Sequence, residues 1–154
     1  MDEKREQTIS GESMKVFLDT NILLDYLLKR QPFYDYVKRI FDMCLFKIDE
    51  CVTPHSLVDV FYMLSERTDA TSDYCRDTIL KLRAVLFVIP ENDDRVLAAA
   101  RNSSFEDFED SMQNESAVAV DVDYIITRNK KDFVNSSIEV VTPEEFLQRL
   151  HVDE

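Results

Sequence analysis

Glycine is almost missing from this chain. Gly11 is the only one in 154 residues, and none follows it. A P-loop, a kinase phosphate loop, a G-x-G-x-x-G dinucleotide turn and a G-x-S-x-G nucleophile elbow each need glycine where the backbone turns sharply or approaches a phosphate. All four are therefore excluded. Any phosphate must be held by basic side chains, helix N-termini or a metal. Histidine is nearly as scarce, with only His55 and His151, and the three cysteines (Cys44, Cys51, Cys75) show no C-x-x-C spacing. A zinc site built from Cys and His is not expected. Free, buried thiols in a reducing cytoplasm are. The longest notable apolar run, Ala84 to Ile89, is far short of a membrane span, and the N-terminus carries no signal-peptide core, so no membrane association is expected.

Positive charge is also in short supply. Lys and Arg total 18 against 31 Asp and Glu, a formal net charge of −13. The excess is local: Glu91 to Asp123 holds 10 acidic and 2 basic residues, whereas Met14 to Glu50 balances at 6 and 6. Such a chain does not coat DNA by electrostatics alone, because phosphate binding wants a basic surface. The acidity fits plain solubility, and it also fits a cation site or a basic protein partner.

What is present is one domain's worth of core-forming sequence, with 45% hydrophobic residues. Residues 1–13 are polar and aperiodic and are expected to form a flexible tail, with Met14 opening a folded domain over 14–150. Short apolar runs at Lys15–Leu18, Ile48–Thr53, Val85–Ile89, Tyr124–Thr127 and Ile138–Val141 are expected strands. Helical spacing is expected over Ile22–Leu28, Pro32–Phe46, Pro54–Arg67, Ser72–Arg83, Asp93–Asn102, Phe108–Ala119 and Pro143–Leu150. Thr53-Pro54 provides an N-cap and a first helical residue, and Thr142-Pro143-Glu144-Glu145 a capping box. Strands without polar alternation, separated by helices, predict a three-layer α/β/α fold around a parallel sheet of four to five strands. In such sheets ligands bind beyond the carboxyl ends of the strands.

Several polar residues fall just there. Asp19 follows the first strand directly, where it is either a helix N-cap or a carboxylate at the mouth of the sheet. Asp59 lies on the helix after the second strand, sharing a face with Ser56 and flanked by Leu57, Val58, Val60 and Phe61. A carboxylate in so apolar a setting needs a partner or a cation. The run Phe105–Asp110 is the densest acidic cluster. It is either a helix start favoured by the dipole, or a device for placing Asp110 on one face with Gln113, Asn114 and Ala117. In the second case Glu106, Asp107 and Glu109 face solvent or a partner. Thr127 to Phe133 then sets a hydroxyl, an amide, three cations and Asp132 at the same edge, with Phe133 anchoring the turn. Clustered carboxylates repel unless protons or cations intervene. Without Cys or His ligands the expected cation is hard, Mg²⁺ or Mn²⁺. The chemistry that follows is metal-activated water attacking a phosphodiester.

The stretches VFLDTNILLD (Val16–Asp25), DFEDSMQ (Asp107–Gln113) and IITRNKKDF (Ile125–Phe133) resemble, in order and spacing, the PIN-domain nucleases, and more narrowly the toxins of bacterial toxin–antitoxin pairs. The resemblance covers nearly all of Met14 to Leu150. It implies a metal-dependent endoribonuclease with Asp19, Asp110, Asp132 and Asp59 as metal ligands. Asn21 would orient Asp19, and Thr127 and Asn129 would be nearby polar contacts. Arg128, Lys130 and Lys131 are candidate phosphate contacts, with Lys29, Arg30, Lys38 and Arg39 behind them. An exposed loop of RNA suits a shallow acidic groove. The resemblance further implies an antitoxin protein that covers the groove and a homodimer. Relatives more often carry Glu where Asp59 stands and an acid where Asn129 stands. These two departures keep open an alternative, a weak or inactive binding module of the same fold for RNA or a protein. A haloacid-dehalogenase-type phosphatase would want D-x-D where this chain has Asp19-Thr20-Asn21, and a receiver's paired acids and late lysine are not evident.

Overall fold

The computed structural model describes residues 14–44 and 47–152, with side chains to Leu150. The expected tail over 1–13, Leu45 and Phe46 of the second helical stretch, and the side chain of His151 lie outside the described residues. Five strands form one parallel sheet: β1 (Met14–Leu18), β2 (Ile48–Val52), β3 (Phe87–Val88), β4 (Tyr124–Ile126) and β5 (Glu139–Val141), in the order β3-β2-β1-β4-β5. Among the described residues seven helices flank them: α1 (Thr20–Leu27), α2 (Tyr34–Phe41), α3 (Pro54–Arg67), α4 (Ser72–Val85), α5 (Asp93–Arg101), α6 (Phe108–Ala119) and α7 (Pro143–Val152). A short 3₁₀ turn, Lys130–Phe133, follows β4. The expected α/β/α fold and its parallel sheet are what the chain adopts.

Each face of the sheet has its own apolar layer. Val16, Leu18, Ile48, Val52 and Ile126 pack under α1–α4 and α7, while Phe17, Cys51 and Ile125 pack with Ala117 of α6 and Phe133. Successive strand residues point to opposite faces, so a sheet covered on both sides demands apolar residues at nearly every position. This is why the strands show no alternation. The expected caps form. Thr53 Oγ1 accepts from the Ser56 amide at 3.1 Å. Thr142 and Glu145 exchange amide-to-side-chain bonds at 2.9 and 3.2 Å, a reciprocal capping box. The three cysteines are buried thiols outside any disulfide, and among the described residues no helix is long and apolar enough to cross a membrane.

Two boundaries differ from expectation. The run Val85–Ile89 contributes only two residues to the sheet, because Leu82 and Leu86 continue the helical period and the chain stays helical through Val85. A short apolar run does not by itself separate a helix end from an edge strand. The helix expected over Pro32–Phe46 is confined to Tyr34–Phe41. Pro32 and Phe33 lie in the entering turn, and by Cys44 the chain has turned to bridge Ile48.

Glu50 is the one charged side chain of β2 that shares a face with Ile48 and Val52, and it is 1% exposed. Burial pushes its carboxyl up to about 8, opposed by the Cys44 thiol. A group whose pKa is raised by folding adds stability below its unfolded value and loses it as pH climbs through the folded value. The melting temperature is therefore expected to fall between about pH 5 and about pH 8 in the wild type and to flatten over that range in Glu50→Gln. Equal slopes in a thermal scan at both pH values would contradict this placement.

Candidate active site

Because all five strands run the same way, the residues that follow them share one edge. The chain lays down β1, β2 and β3 in one direction across the sheet, then β4 and β5 in the other, so the order reverses between β1 and β4. A crevice is expected at such a point. Here a cleft of about 480 Å³ opens, lined by Asp19, Asp59, Glu109, Asp110 and Asp132 among others. All four carboxylates expected as ligands meet in this one cleft.

Asp19 takes the N-cap position of α1 through its backbone, its carbonyl accepting from the Ile22 amide at 2.9 Å, but its side chain does not cap the helix. The carboxylate instead accepts from Thr127 Oγ1 at 2.8 Å. The first of the two readings of Asp19 is thus true of its main chain and the second of its side chain. Asp19 is 7% exposed, and burial raises its carboxyl pKa against the pull of Thr127 and the Thr20 amide; Asp132 nearby raises it further. Thr127, fully buried, also accepts from the Asn129 amide at 3.0 Å. Among the described residues the donors around the Asp19 carboxylate are Thr127, the Thr20 amide and Gln113, while Asn21 lines the cleft alongside Asn129.

The floor is a run of buried polar groups. Thr53 Oγ1 donates to Ser56 Oγ (3.1 Å), Ser56 Oγ meets Thr20 Oγ1 (2.9 Å), and Gln113 Nε2 donates to Thr20 Oγ1 (3.3 Å). This chain of contacts ties α1, α3 and α6 together beneath the acids. Asp107 caps α6, its side chain accepting from the Asp110 amide at 2.9 Å, which points Asp110 into the cleft with Gln113. Asn114 and Ala117 of the same face turn into the protein interior. Burial first, then the charges of Asp107, Asp132 and Asp19, push the Asp110 carboxyl up to about 7.

The expectation for Glu109 needs correction. It does not face outward with Glu106: it lines the cleft beside Asp59, shares a hydrogen bond with it, and is thereby pushed up to about 8. His55, one turn before Asp59, lies 3.5 Å from Asp59 Oδ2 and 3.9 Å from Glu109 Oε1. His55 is not among the residues expected at the site, although its i, i+4 spacing to Asp59 is a signal for it. Asp59 therefore does have partners. They are one imidazole and one carboxyl group at the rim.

The basic residues are less free than expected. Arg128 lays its guanidinium on Asp25, Nε 2.7 Å from Oδ2, and over the Phe33 ring at 4.1 Å. Lys130 contacts Glu145 at 3.1 Å, Arg30 also reaches Asp25 (3.6 Å), and Lys38 reaches Asp42 (3.0 Å). Lys131 is exposed.

These features define an α/β domain whose acids converge at the carboxyl edge of its sheet. The chain belongs to the PIN domain family, whose profile matches residues 15–131. Ribonuclease VapC1 of Aquifex aeolicus is 29% identical over 140 residues, covering 89% of this chain and 96% of that relative. The fold is shared with VapBC-1 of nontypeable Haemophilus influenzae (TM-score 0.66, 16% identity, 85% of this chain and 99% of that one). It is shared also with VapC20 of Mycobacterium tuberculosis, described as a sarcin–ricin loop cleaving toxin (TM-score 0.58, 16% identity, 71% and 86%).

Asp110 and Glu109 hold protons more tightly in the folded chain than their ordinary values of 3.8 and 4.5 allow. Their contribution to stability is therefore complete below about pH 4 and is lost as pH rises through about 7 to 8. In EDTA the wild-type melting temperature is expected to fall more steeply from about pH 5 to about pH 8.5 than that of Asp110→Asn. Mg²⁺ or Mn²⁺ is expected to restore the wild type at the alkaline end. Parallel curves for the two proteins would contradict the electrostatic reading of the cleft.

Proposed function

We propose that this chain is a divalent-metal-dependent endoribonuclease and the toxin of a toxin–antitoxin pair. The observation that carries the reading is the convergence of Asp19, Asp110 and Asp132, with Asp59 across the cleft, at the switch point of the sheet. Each acid raises its neighbours' affinity for protons, so a cation is the natural occupant at neutral pH. The donors are hard oxygens apart from His55 at the rim, which suits Mg²⁺ or Mn²⁺. Such an ion supplies a Lewis acid that lowers the pKa of water and offsets charge on the phosphodiester.

The chain's own groups do the rest. Thr127 fixes the Asp19 carboxylate, and Asp107 fixes the start of the helix that carries Asp110. Glu109, pushed up to about 8 beside Asp59, carries a proton near neutral pH, which lowers the negative charge on the rim that a phosphate must pass. Lys131, and Lys130 once its exposed contact with Glu145 is exchanged, are the proposed phosphate contacts; surface ion pairs of that kind are weak enough to be replaced. RNA as substrate is supported by the ribonuclease relative and by the loop-cleaving toxin of the same fold. An exposed RNA loop is the form such an open cleft can reach.

An antitoxin partner is supported by the VapBC neighbour and by a second feature. An apolar groove between α3 and α4, lined by Leu57, Val58, Phe61, Ile79 and Leu80, shares Tyr62 with the cleft. A partner with an apolar face and a cationic end would span both. A homodimer belongs to the same reading.

The test is cleavage of a mixed structured RNA with Mg²⁺ or Mn²⁺. Cleavage is expected to vanish in EDTA and to fall on the order of a hundredfold in Asp19→Asn. RNA that stays intact with folded wild type and both metals, while binding persists in Asp19→Asn, would replace the nuclease with a binding module.

A further inference from the structure

The pairing of Arg128 with Asp25 lies outside the cleft, and nothing in the proposed chemistry uses it. Asp25 is fully buried near the end of α1. Its carboxylate receives two guanidinium groups. Arg128 Nη2 donates to Oδ1 at 3.2 Å, while Arg128 Nε makes a charge contact with Oδ2 at 2.7 Å that is not an aligned hydrogen bond. Arg30, in the turn after α1, reaches Oδ1 at 3.6 Å. Phe33, whose amide donates to the Arg30 carbonyl at 3.1 Å, supplies an aromatic face 4.1 Å below the Arg128 guanidinium. Only a planar guanidinium can bind a carboxylate side-on and stack on a ring at once.

What this grip holds matters more than what it contributes by itself. Arg128 stands between Thr127, whose hydroxyl orients Asp19, and Asn129, whose side chain lines the cleft and whose carbonyl accepts from the Asp132 amide at 3.0 Å. Fixing Arg128 to α1 therefore fixes the main chain on both sides of it. That sets the hydroxyl that aims the first carboxylate and the turn that presents the last one. Asp19 and Asp25 lie at the start and near the end of the same helix, so the two ends of the β4 exit loop are referred to one rigid element.

We propose that Asp25, Arg128 and Phe33 form a clamp that positions Thr127 and Asp132 against Asp19, making Arg128 a positioning residue and not a phosphate contact. Only the kinetic readout rests on the nuclease reading. Metal affinity tests the clamp without it.

The decisive variants are Arg128→Lys, which keeps the charge and the aliphatic stem but loses the planar fork, and Asp25→Asn, which keeps the shape and cannot touch RNA. Each is measured below its melting temperature, with folding checked by circular dichroism. The readouts are the Mn²⁺ dissociation constant by calorimetry, and kcat and KM on RNA at several salt concentrations. Each variant is expected to weaken Mn²⁺ binding and lower kcat by about ten- to a hundredfold, the range for residues that support metal ligands. KM and its salt slope stay unchanged. The double variant is expected to be no worse than the weaker single by more than about threefold, since either change opens the same clamp.

Wild-type Mn²⁺ affinity and kcat in Arg128→Lys would overturn the proposal. So would losses confined to KM and its salt slope, which mark a phosphate contact, or losses that multiply in the double variant. Should Asp25→Asn not fold, Phe33→Leu takes its place, with a smaller loss of Mn²⁺ affinity expected and none overturning the clamp. Wild type that binds Mn²⁺ but cuts no RNA would remove the nuclease reading and leave the clamp to be decided by metal affinity.

Discussion

The hydrogen bond from Thr127 to Asp19 joins the two strands between which the chain reverses its direction across the sheet. Asp19 directly follows β1 and Thr127 directly follows β4, and the two strands are paired in register from Val16–Tyr124 to Leu18–Ile126. The backbone continues the ladder one step further, with the Asp19 amide donating to the Ile126 carbonyl at 3.1 Å. One carboxylate is thus held where the sheet parts to form its crevice. The polar floor and the two acid-bearing helices are arranged around that point. Remove the bond and Asp19 becomes a buried acid with too few donors, which burial would drive neutral.

The second constraint is repulsion. A cleft that brings several carboxylates together on a chain of net charge −13 stores unfavourable charge, and the fold answers it locally. Asp110 and Glu109 hold protons near neutral pH, and His55 stands at the rim beside Asp59. Outside the cleft some acids are matched, Asp25 by two arginines and Glu145 by Lys130 and by the capping box that lowers its pKa, while Glu50 lies buried in β2 without a cationic partner. What sets the cleft apart is that several mutually repelling carboxylates converge there, and that convergence marks it as a place for a cation. Perturbed carboxylates in a crevice are a functional signal for this physical reason.

Much of this was legible in the sequence. The largely apolar strands predict a sheet covered on both faces, and the caps at Thr53 and Thr142 fix two helix starts. The position of Asp19 immediately after a strand places it at the ligand edge. Asp110 was separable from its acidic neighbours because it shares a helical face with Gln113. Three things were not legible. The reach of α4 into Val85 depends on packing that a short apolar run does not encode. Glu109 turns inward because α3 brings Asp59 and His55 to meet it, a contact between elements far apart in sequence. The pairing of Arg128 with Asp25 was hidden because Asp25 lies over a hundred residues away in a stretch that otherwise reads as an apolar helix.

The central claim is that the acids at the β1/β4 edge form one cation site. Anomalous diffraction from crystals grown with Mn²⁺ tests it most directly. The account predicts a peak within about 2.0–2.3 Å of carboxylate oxygens from Asp19 and at least one of Asp110 and Asp132, the distance expected for a hard cation on oxygen. A peak bound elsewhere, or a cleft that stays empty at saturating Mn²⁺ with the carboxylates ionised, would contradict it.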